Sequence, residues 1–315
     1  MNYDDFHVSV LLTEVIDYLD PEEGDIVYDG TLGGAGHTVE IIKAIAPTGK
    51  VIGVDLNSQT LSTATSKLEL FAKNVLLVND NFANIKNILL KLNIKKINKI
   101  LLDLGLSSFL IDRSGRGFSY LRDERLDMRF SPDTWPDAHE VINKYQEKRL
   151  KEIFLKYGEE RFSGRIAANI IKYREAKSIE TTGDLVNIVR QSIPGNYGKY
   201  RKGNPAKRVF QAIRMEVNRE LESISKVIDD GFEVLEKGGR MVIISYHSLE
   251  DKLVKTRFRE LEGICTCPPG LPVCRCGVVK KAEILTRRAI FPSVEEQEKN
   301  PRSKSARLRA IEKIL

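Results

Sequence analysis

The sequence predicts a doubly wound α/β sheet interrupted by a helical insertion, and three observations carry that prediction. Short β-branched runs alternate with longer helix-period stretches from residue 26 onward. After residue 111 this rhythm gives way to a polar, arginine-rich and then helical segment. It resumes near residue 218 with a helix and a strong strand, so the two outer parts read as one sheet domain.

The elements follow in order. "DIVYDGT", "KVIGVDLN", "NVLLVNDNF" and "INKILLDLGLSS" read as strands, separated by the helical stretches "TVEIIKAIA", "QTLSTATSKLELFA" and "ANIKNILLKLN". Strands joined by helices form a parallel sheet with right-handed crossovers. Next comes "RSGRGFSYLRDERLDMRFSPDTWPDAHE", which is short of strand signals. "QEKRLKEIFLKYGEERFSGRIAANIIKYRE" and "TTGDLVNIVRQSI" then carry helical periodicity. These stretches delimit a helical insertion, 112–214, between the parts 1–111 and 215–315 of the sheet domain. "NRELESISKVIDDGFEVLE" predicts the returning helix, "KGG" its stop and "RMVIISYHS" a fifth strand. "AEILTRRAIF" and "SARLRAIEKIL" predict a terminal hairpin at the sheet edge.

Composition agrees with a globular chain. At 315 residues with 42% hydrophobic and 30% charged residues, it can bury a sizeable core, and wholesale disorder is excluded. No apolar run approaches the ~18 residues of a membrane span, and no basic-then-apolar leader opens the chain. No membrane association and a cytoplasmic location are expected. The four cysteines all fall in "CTCPPGLPVCRC" and do not form a disulfide framework spread over the fold. A net charge of +6 favours a polyanionic partner, modestly.

The stretch "VYDGTLGGAGHTVEII" places a glycine-rich turn between the first strand and the first helix, where a backbone without Cβ atoms can approach a ligand closely. Gly34, Ala35 and Gly36 begin a G-x-G-x-x-G dinucleotide fingerprint, but Val39 occupies the third glycine position. A pyrophosphate ligand is therefore disfavoured, and with it a nicotinamide-dependent oxidoreductase. Asp55 ends the second strand, where a carboxylate can accept hydrogen bonds from both ribose hydroxyls of a nucleoside. Asp80 and Phe82 end the third, suited to an adenine amino group and to the face of a base. Asp103 ends the fourth, followed by Ser107 and Ser108. Taken singly, each of these residues also suits a cap, a turn or a core position. Together they aim polar groups at one crevice outside the carboxyl ends of the strands.

Eight motifs, "DGTLGGAGH", "LLDLGLSS", "RGFSY", "LDMR", "YGEERF", "FQAIRMEVNRELE", "IISYHSLED" and "NPRSKSARLR", together resemble the MraW family of bacterial small-subunit ribosomal RNA cytosine-N4 methyltransferases. With "HVSVLLTEV" at residue 7, the matches run in family order to residue 309. The resemblance implies a class I S-adenosylmethionine-dependent methyltransferase sheet, Rossmann-like, with an inserted helical domain. It implies methylation of the exocyclic amine of a cytosine in the decoding region of 16S rRNA, with the small ribosomal subunit as partner. By motif match Ala35, Gly36, His37, Asp55, Phe82 and Asp103 fall on cofactor-binding positions, and Gly34 belongs to the same turn. The chain departs from the family pattern at Leu110, where glutamine is common, and at Arg125, where proline is common.

The lone pair of a cytosine amine is delocalised into the ring, so the amine must be held near tetrahedral geometry to attack a sulfonium methyl in line. The "DLGLSS" turn, with Asp103 and Ser107, is expected to hold it. His247 in "SYHSLED" could reach the same crevice or serve structure alone. No cysteine lies in a strand-end turn, which disfavours a carbon-5 mechanism requiring a thiolate.

RNA contact is expected from "YGKYRKGNPAKRVFQAIR", in which Arg201, Lys202, Lys207 and Arg208 have no acidic neighbours and aromatic residues are interleaved. Residues Arg113 to Arg129 add five arginines and are expected to form part of the cleft wall. Cys265, Cys267, Cys274 and Cys276 could ligate a structural zinc or stand as reduced thiols. Monomer and homodimer both remain open. The alternative function is a non-catalytic RNA-binding or ribosome assembly factor, which would lack specific affinity for S-adenosylmethionine.

Overall fold

The computed structural model describes residues 9–105, 114–194, 204–263 and 277–315. Ser107, Ser108, Leu110, Arg201, Lys202 and the four cysteines lie outside the described residues. The chain divides into two units: one comprises Met1–Gly105 with Leu221–Leu315, and the other Leu106–Glu220.

The first unit is built on a seven-stranded sheet in the order β3-β2-β1-β4-β5-β7-β6. The strands are β1 (Ile26–Asp29), β2 (Lys50–Asp55), β3 (Val75–Asn79), β4 (Ile97–Asp103), β5 (Leu235–Ser245), β6 (Ala282–Ile284) and β7 (Arg307–Lys313). β1 to β5 are parallel, and β7 runs antiparallel between β5 and β6. This is the class I Rossmann-like arrangement. The terminal hairpin expected from the sequence forms, with β7 rather than β6 on β5. From β1 the chain builds outward through β2 and β3, then returns to place β4 and β5 on the other side. The switch point is thus between β1 and β4, and ligands of open α/β sheets bind at the carboxyl ends there.

Side chains alternate across the strands, as the pleat requires. Val27, Val51, Leu101 and Val242 join one core with Leu11, Val15, Ile41 and Ile42. Their strand neighbours Tyr28, Ile52, Ile100 and Met241 join another, with Ile85, Ile88, Val227 and Phe258. The helices supplying these faces are α1 (Leu12–Leu19), α2 (Gly36–Ile45), α3 (Ser58–Lys67), α4 (Ile85–Lys91), α10 (Glu220–Val234) and α11 (Ser248–Glu262). Helix α1 is not anticipated by the sequence pattern, and "KGG" does not stop a helix. It lies inside β5, with Gly238 at φ 79° and the β4–β5 register shifting between Ile97 and Lys99. The short helix α12 (Val294–Lys299) and a 3-10 turn at Pro301–Ser305 intervene between β6 and β7.

The second unit contains α5 (Ala138–Lys144), α6 (Glu147–Lys156), α7 (Ser163–Ala176), α8 (Thr182–Ser192) and α9 (Ala206–Asn218) around one core that includes Phe154, Ile170, Val189 and Ile213. The long periodic stretch from Gln146 splits into α6 and α7 at a turn where Glu159 takes φ 47°. Among the described residues no helix is long and apolar enough to cross a membrane.

Candidate active site

Asp29 ends β1 and is 2% exposed. It accepts from the Thr38 hydroxyl at 2.5 Å and from the Thr31 N–H at 3.2 Å, so it anchors the turn that follows. Burial raises its pKa above the ordinary carboxylate value, and the charge of Asp103 adds to the rise. The Thr31 hydroxyl in turn accepts the Asp103 N–H at 2.6 Å, joining this turn to the end of β4.

The turn itself needs glycine at two positions. A Cβ on Gly30 would stand 2.5 Å from Leu102 Cδ2 and 3.0 Å from Phe82 Cβ, and Gly33 takes φ 49°. Ala35 is also left-handed, at φ 57°, and precedes the first residue of α2 with no side-chain cap. Lys67 Nζ donates to the Gly34 carbonyl at 3.2 Å. A Cβ on Gly36 would stand 2.0 Å from Ser9 Oγ, so the backbone here passes directly against the N-terminal segment. His37 is buried with its Nε2 3.0 Å from the Val10 carbonyl, so its ring holds that segment in place.

Asp55 ends β2. Its carboxylate accepts from the Gly33 N–H at 3.1 Å and the Asn57 N–H at 2.8 Å. Burial, reinforced by the charge of Asp29, raises its pKa from 3.8 to about 6 despite these two donors. Asn57 caps α3 through its side-chain oxygen, while its buried Nδ2 has no partner among the described residues. At the end of β3, Asp80 Oδ1 accepts from the Asn81 N–H and from Asn84 Nδ2, both at 2.7 Å. The Phe82 carbonyl accepts from the Tyr28 hydroxyl at 2.9 Å, and its ring packs partly buried on the core.

Asp103 and Tyr246 meet where β4 and β5 end. The Tyr246 phenol is raised above its ordinary pKa, first by burial and then by the nearby Asp103 carboxylate. It therefore stays protonated. A Cβ on Gly105 would lie 3.0 Å from the Tyr246 ring, so the "DLG" glycine lets the backbone pass that ring. His247 is the N-cap of α11, its Nδ1 accepting the Glu250 N–H at 3.3 Å. The buried Glu250 carboxylate answers by accepting the N–H groups of Tyr246 at 2.8 Å and His247 at 3.2 Å. An accepting Nδ1 places the neutral ring's proton on Nε2. That nitrogen lies 3.1 Å from Glu250 Oε1 but out of line with it, and has no hydrogen-bond partner among the described residues.

Three carboxylates, Asp29, Asp55 and Asp103, thus end neighbouring strands of one sheet, coupled through hydrogen bonds and charge. Asp29, Thr31, Asn57 and Tyr246 were not among the expected site residues. For Asp29 the signal was present, since "IVYD" ends in an acid as "VIGVD" and "ILLD" do.

In the second unit, Lys207 is exposed at the start of α9, and Arg208 donates to the Glu159 carbonyl at 3.1 Å. Arg214 from the same basic stretch is bound by Glu220 through two hydrogen bonds, at 2.7 and 2.8 Å. Two arginines of the 113–129 segment also serve the loop itself. Arg116 donates to the carbonyls of Arg129 and Phe130, and Arg129 grips Asp127.

The MraW methylase family model matches residues 4–314 of the chain. A protein named ribosomal RNA small subunit methyltransferase H from Clostridium botulinum, strain Loch Maree, is 48% identical over 308 residues, covering 98% of this chain and 99% of the relative. Its counterpart from strain Kyoto is 47% identical with the same coverage. The crystal structure of an rRNA methylase from Streptococcus thermophilus superposes with a TM-score of 0.44 at 11% identity, covering 98% of this chain and 99% of that one.

Proposed function

Because the chain belongs to the MraW methylase family, we propose that it transfers a methyl group from S-adenosylmethionine to the N4 amine of a cytosine in the decoding region of small-subunit ribosomal RNA. The single observation that favours a methionine-bearing nucleoside is the pair of acids, Asp55 and Asp103, at the ends of β2 and β4, on either side of the turn that Asp29 anchors. The chain provides acceptors there, suited to ribose hydroxyls and to a cationic ligand. The relatives' name, ribosomal RNA small subunit methyltransferase, supports the substrate class. The N4 position and the decoding region rest on the motif resemblance.

The residues present suit that cofactor. Asp55 would accept hydrogen bonds from the ribose hydroxyls, Phe82 would cover the base and the Gly34–Ala35–Gly36 backbone would let the ligand approach. The orphaned Nδ2 of Asn57 offers a donor beside Asp55. His37 contributes through its backbone, because its ring is engaged by Val10. When bound, S-adenosylmethionine supplies an electrophilic methyl on a sulfonium leaving group.

Asp103 orients the target amine by accepting a hydrogen bond from it, with the protonated Tyr246 phenol beside the carboxylate. Ser107 is proposed to help hold the amine. Attack by nitrogen generates a cationic amine that is acidic enough to release its proton to water, so no strong base is required. That matches His247, whose capping role leaves no accepting nitrogen in the neutral ring. Arg201, Lys202, Lys207 and Arg208 are proposed to neutralise RNA phosphates, giving the helical unit its substrate-recognition role.

Calorimetric titration with S-adenosylmethionine tests the reading. Saturable binding that is lost in Asp55→Ala is expected, whereas a non-catalytic assembly factor would bind the cofactor in neither form.

A further inference from the structure

Away from the strand ends, α11 and the β6–β7 hairpin line a cleft of about 50 Å³ that takes no part in the proposed reaction. One water needs roughly 10–15 Å³ by the same measure, so the cleft holds a few waters or one small tetrahedral anion. Its charged lining is four cations, Lys255, Arg259, Arg287 and Arg309, against the carboxylate of Glu262.

The decisive residue is Arg309 on β7. It is 8% exposed, and its Nε donates to Asp251 at 2.6 Å. Its two terminal amino groups have no hydrogen-bond partner among the described residues and are not fully buried, so they remain open to the cleft. Asp251 is shared with Arg307 at 3.4 Å, so it does not neutralise Arg309 alone. Thr286, 3% exposed, accepts the Ala310 N–H at 2.9 Å, and its own hydroxyl proton has no acceptor among the described residues. Lys255 and Arg259 make no side-chain hydrogen bond or ion pair among the described residues, and Glu262 is 3.4 Å from Arg287. Unsatisfied donors and surplus positive charge therefore converge on a space the size of a phosphate.

We propose that this cleft is a phosphate-binding site, and that its ligand is a backbone phosphodiester of bound RNA. A guanidinium whose two amino groups are unpaired among the described residues presents a planar fork of donors to phosphate oxygens, and Lys255 adds a mobile point charge. The assignment to RNA rather than free phosphate rests on the proposed function; the anion chemistry of the cleft does not.

The test compares the full chain with Lys255→Gln/Arg259→Gln and, separately, with Arg309→Lys, which keeps the charge facing Asp251 but removes the fork. Inorganic phosphate is titrated at low salt without cofactor, and a single-stranded RNA oligonucleotide is titrated across a salt series. Phosphate is expected to raise the melting temperature of the wild type and of neither variant. RNA affinity of the double variant should fall about fivefold, with the slope of log K against log salt reduced by about 0.7 for each phosphate no longer neutralised. Loss of the phosphate response with an unchanged RNA slope would overturn RNA as the source. An unchanged response to both would overturn the site. Neither readout uses methyl transfer, so failure of the methyltransferase reading would show separately in the calorimetry with S-adenosylmethionine.

Discussion

The backbone N–H of Gly33 donates to the Asp55 carboxylate at 3.1 Å, tying the glycine turn after β1 to the end of β2. The turn and the acid are therefore one unit, and the protonation state of Asp55 bears on both. Burial raises its pKa to about 6 in the folded chain. As pH falls below that value the acid gains a proton and accepts fewer hydrogen bonds. S-adenosylmethionine affinity is expected to drop by up to about tenfold between pH 7 and pH 5. Asp55→Asn should bind weakly and show no such dependence; calorimetry across the range reads both.

The same shift has a defined sign for stability. A folded pKa above the unfolded 3.8 means that the folded state holds the extra proton. The contribution of Asp55 is therefore full below about pH 4 and is lost as pH rises through about 6. Chemical denaturation of the cofactor-free protein at pH 4, 5, 6 and 7, compared with Asp55→Ala, measures it.

Tyr246→Phe removes the protonated hydroxyl that stands near Asp103 while keeping the ring that packs against Gly105. If the hydroxyl donates to Asp103 while the amine is oriented, the loss of a hydrogen bond to a charged group, about 1.5–3 kcal/mol, lowers kcat roughly 10- to 100-fold. Cofactor affinity should stay within about threefold of the wild type, because the loss lies in orienting the amine. Single-turnover methyl transfer beside cofactor titration separates the two effects.

Two of these acids were legible in the sequence because a β-branched run ending in an acid marks both the strand and its carboxyl end, as at Asp55 and Asp103. Tyr246 was not, since it reaches Asp103 across a sheet pairing that bridges the whole helical insertion, and no local pattern encodes that approach. His37 was legible as part of the turn, but its partner Val10 lies in a segment whose helix α1 the hydrophobic pattern does not reveal. The glycines of "KGG" read as a helix stop because a β-bulge and a helix terminus both call for a glycine with positive φ. Only the pairing of β5 with β4 distinguishes the two.

His37→Ala should act on the N-terminal segment more than on the ligand. Leaving the Val10 carbonyl without its 3.0 Å partner costs about 1–3 kcal/mol and should hasten proteolysis near residues 9–11. Cofactor affinity in the protein that remains folded should change less than about threefold. Limited proteolysis and calorimetry on the same sample check this.

His247→Asn should retain methyl transfer, because asparagine can also cap α11, whereas His247→Ala should lose about 1 kcal/mol of stability. Loss of activity in a folded, well-capped His247→Asn would require a chemical role for the imidazole.

Methyl transfer to the N4 amine of a small-subunit cytosine, as proposed, is read by supplying isotope-labelled S-adenosylmethionine to small ribosomal subunits lacking the modification. The recovered RNA is then digested to nucleosides and the label located. Label on N4-methylated cytidine, abolished by Asp103→Ala, is the expected result. Label on carbon 5, on ribose or on protein would contradict it.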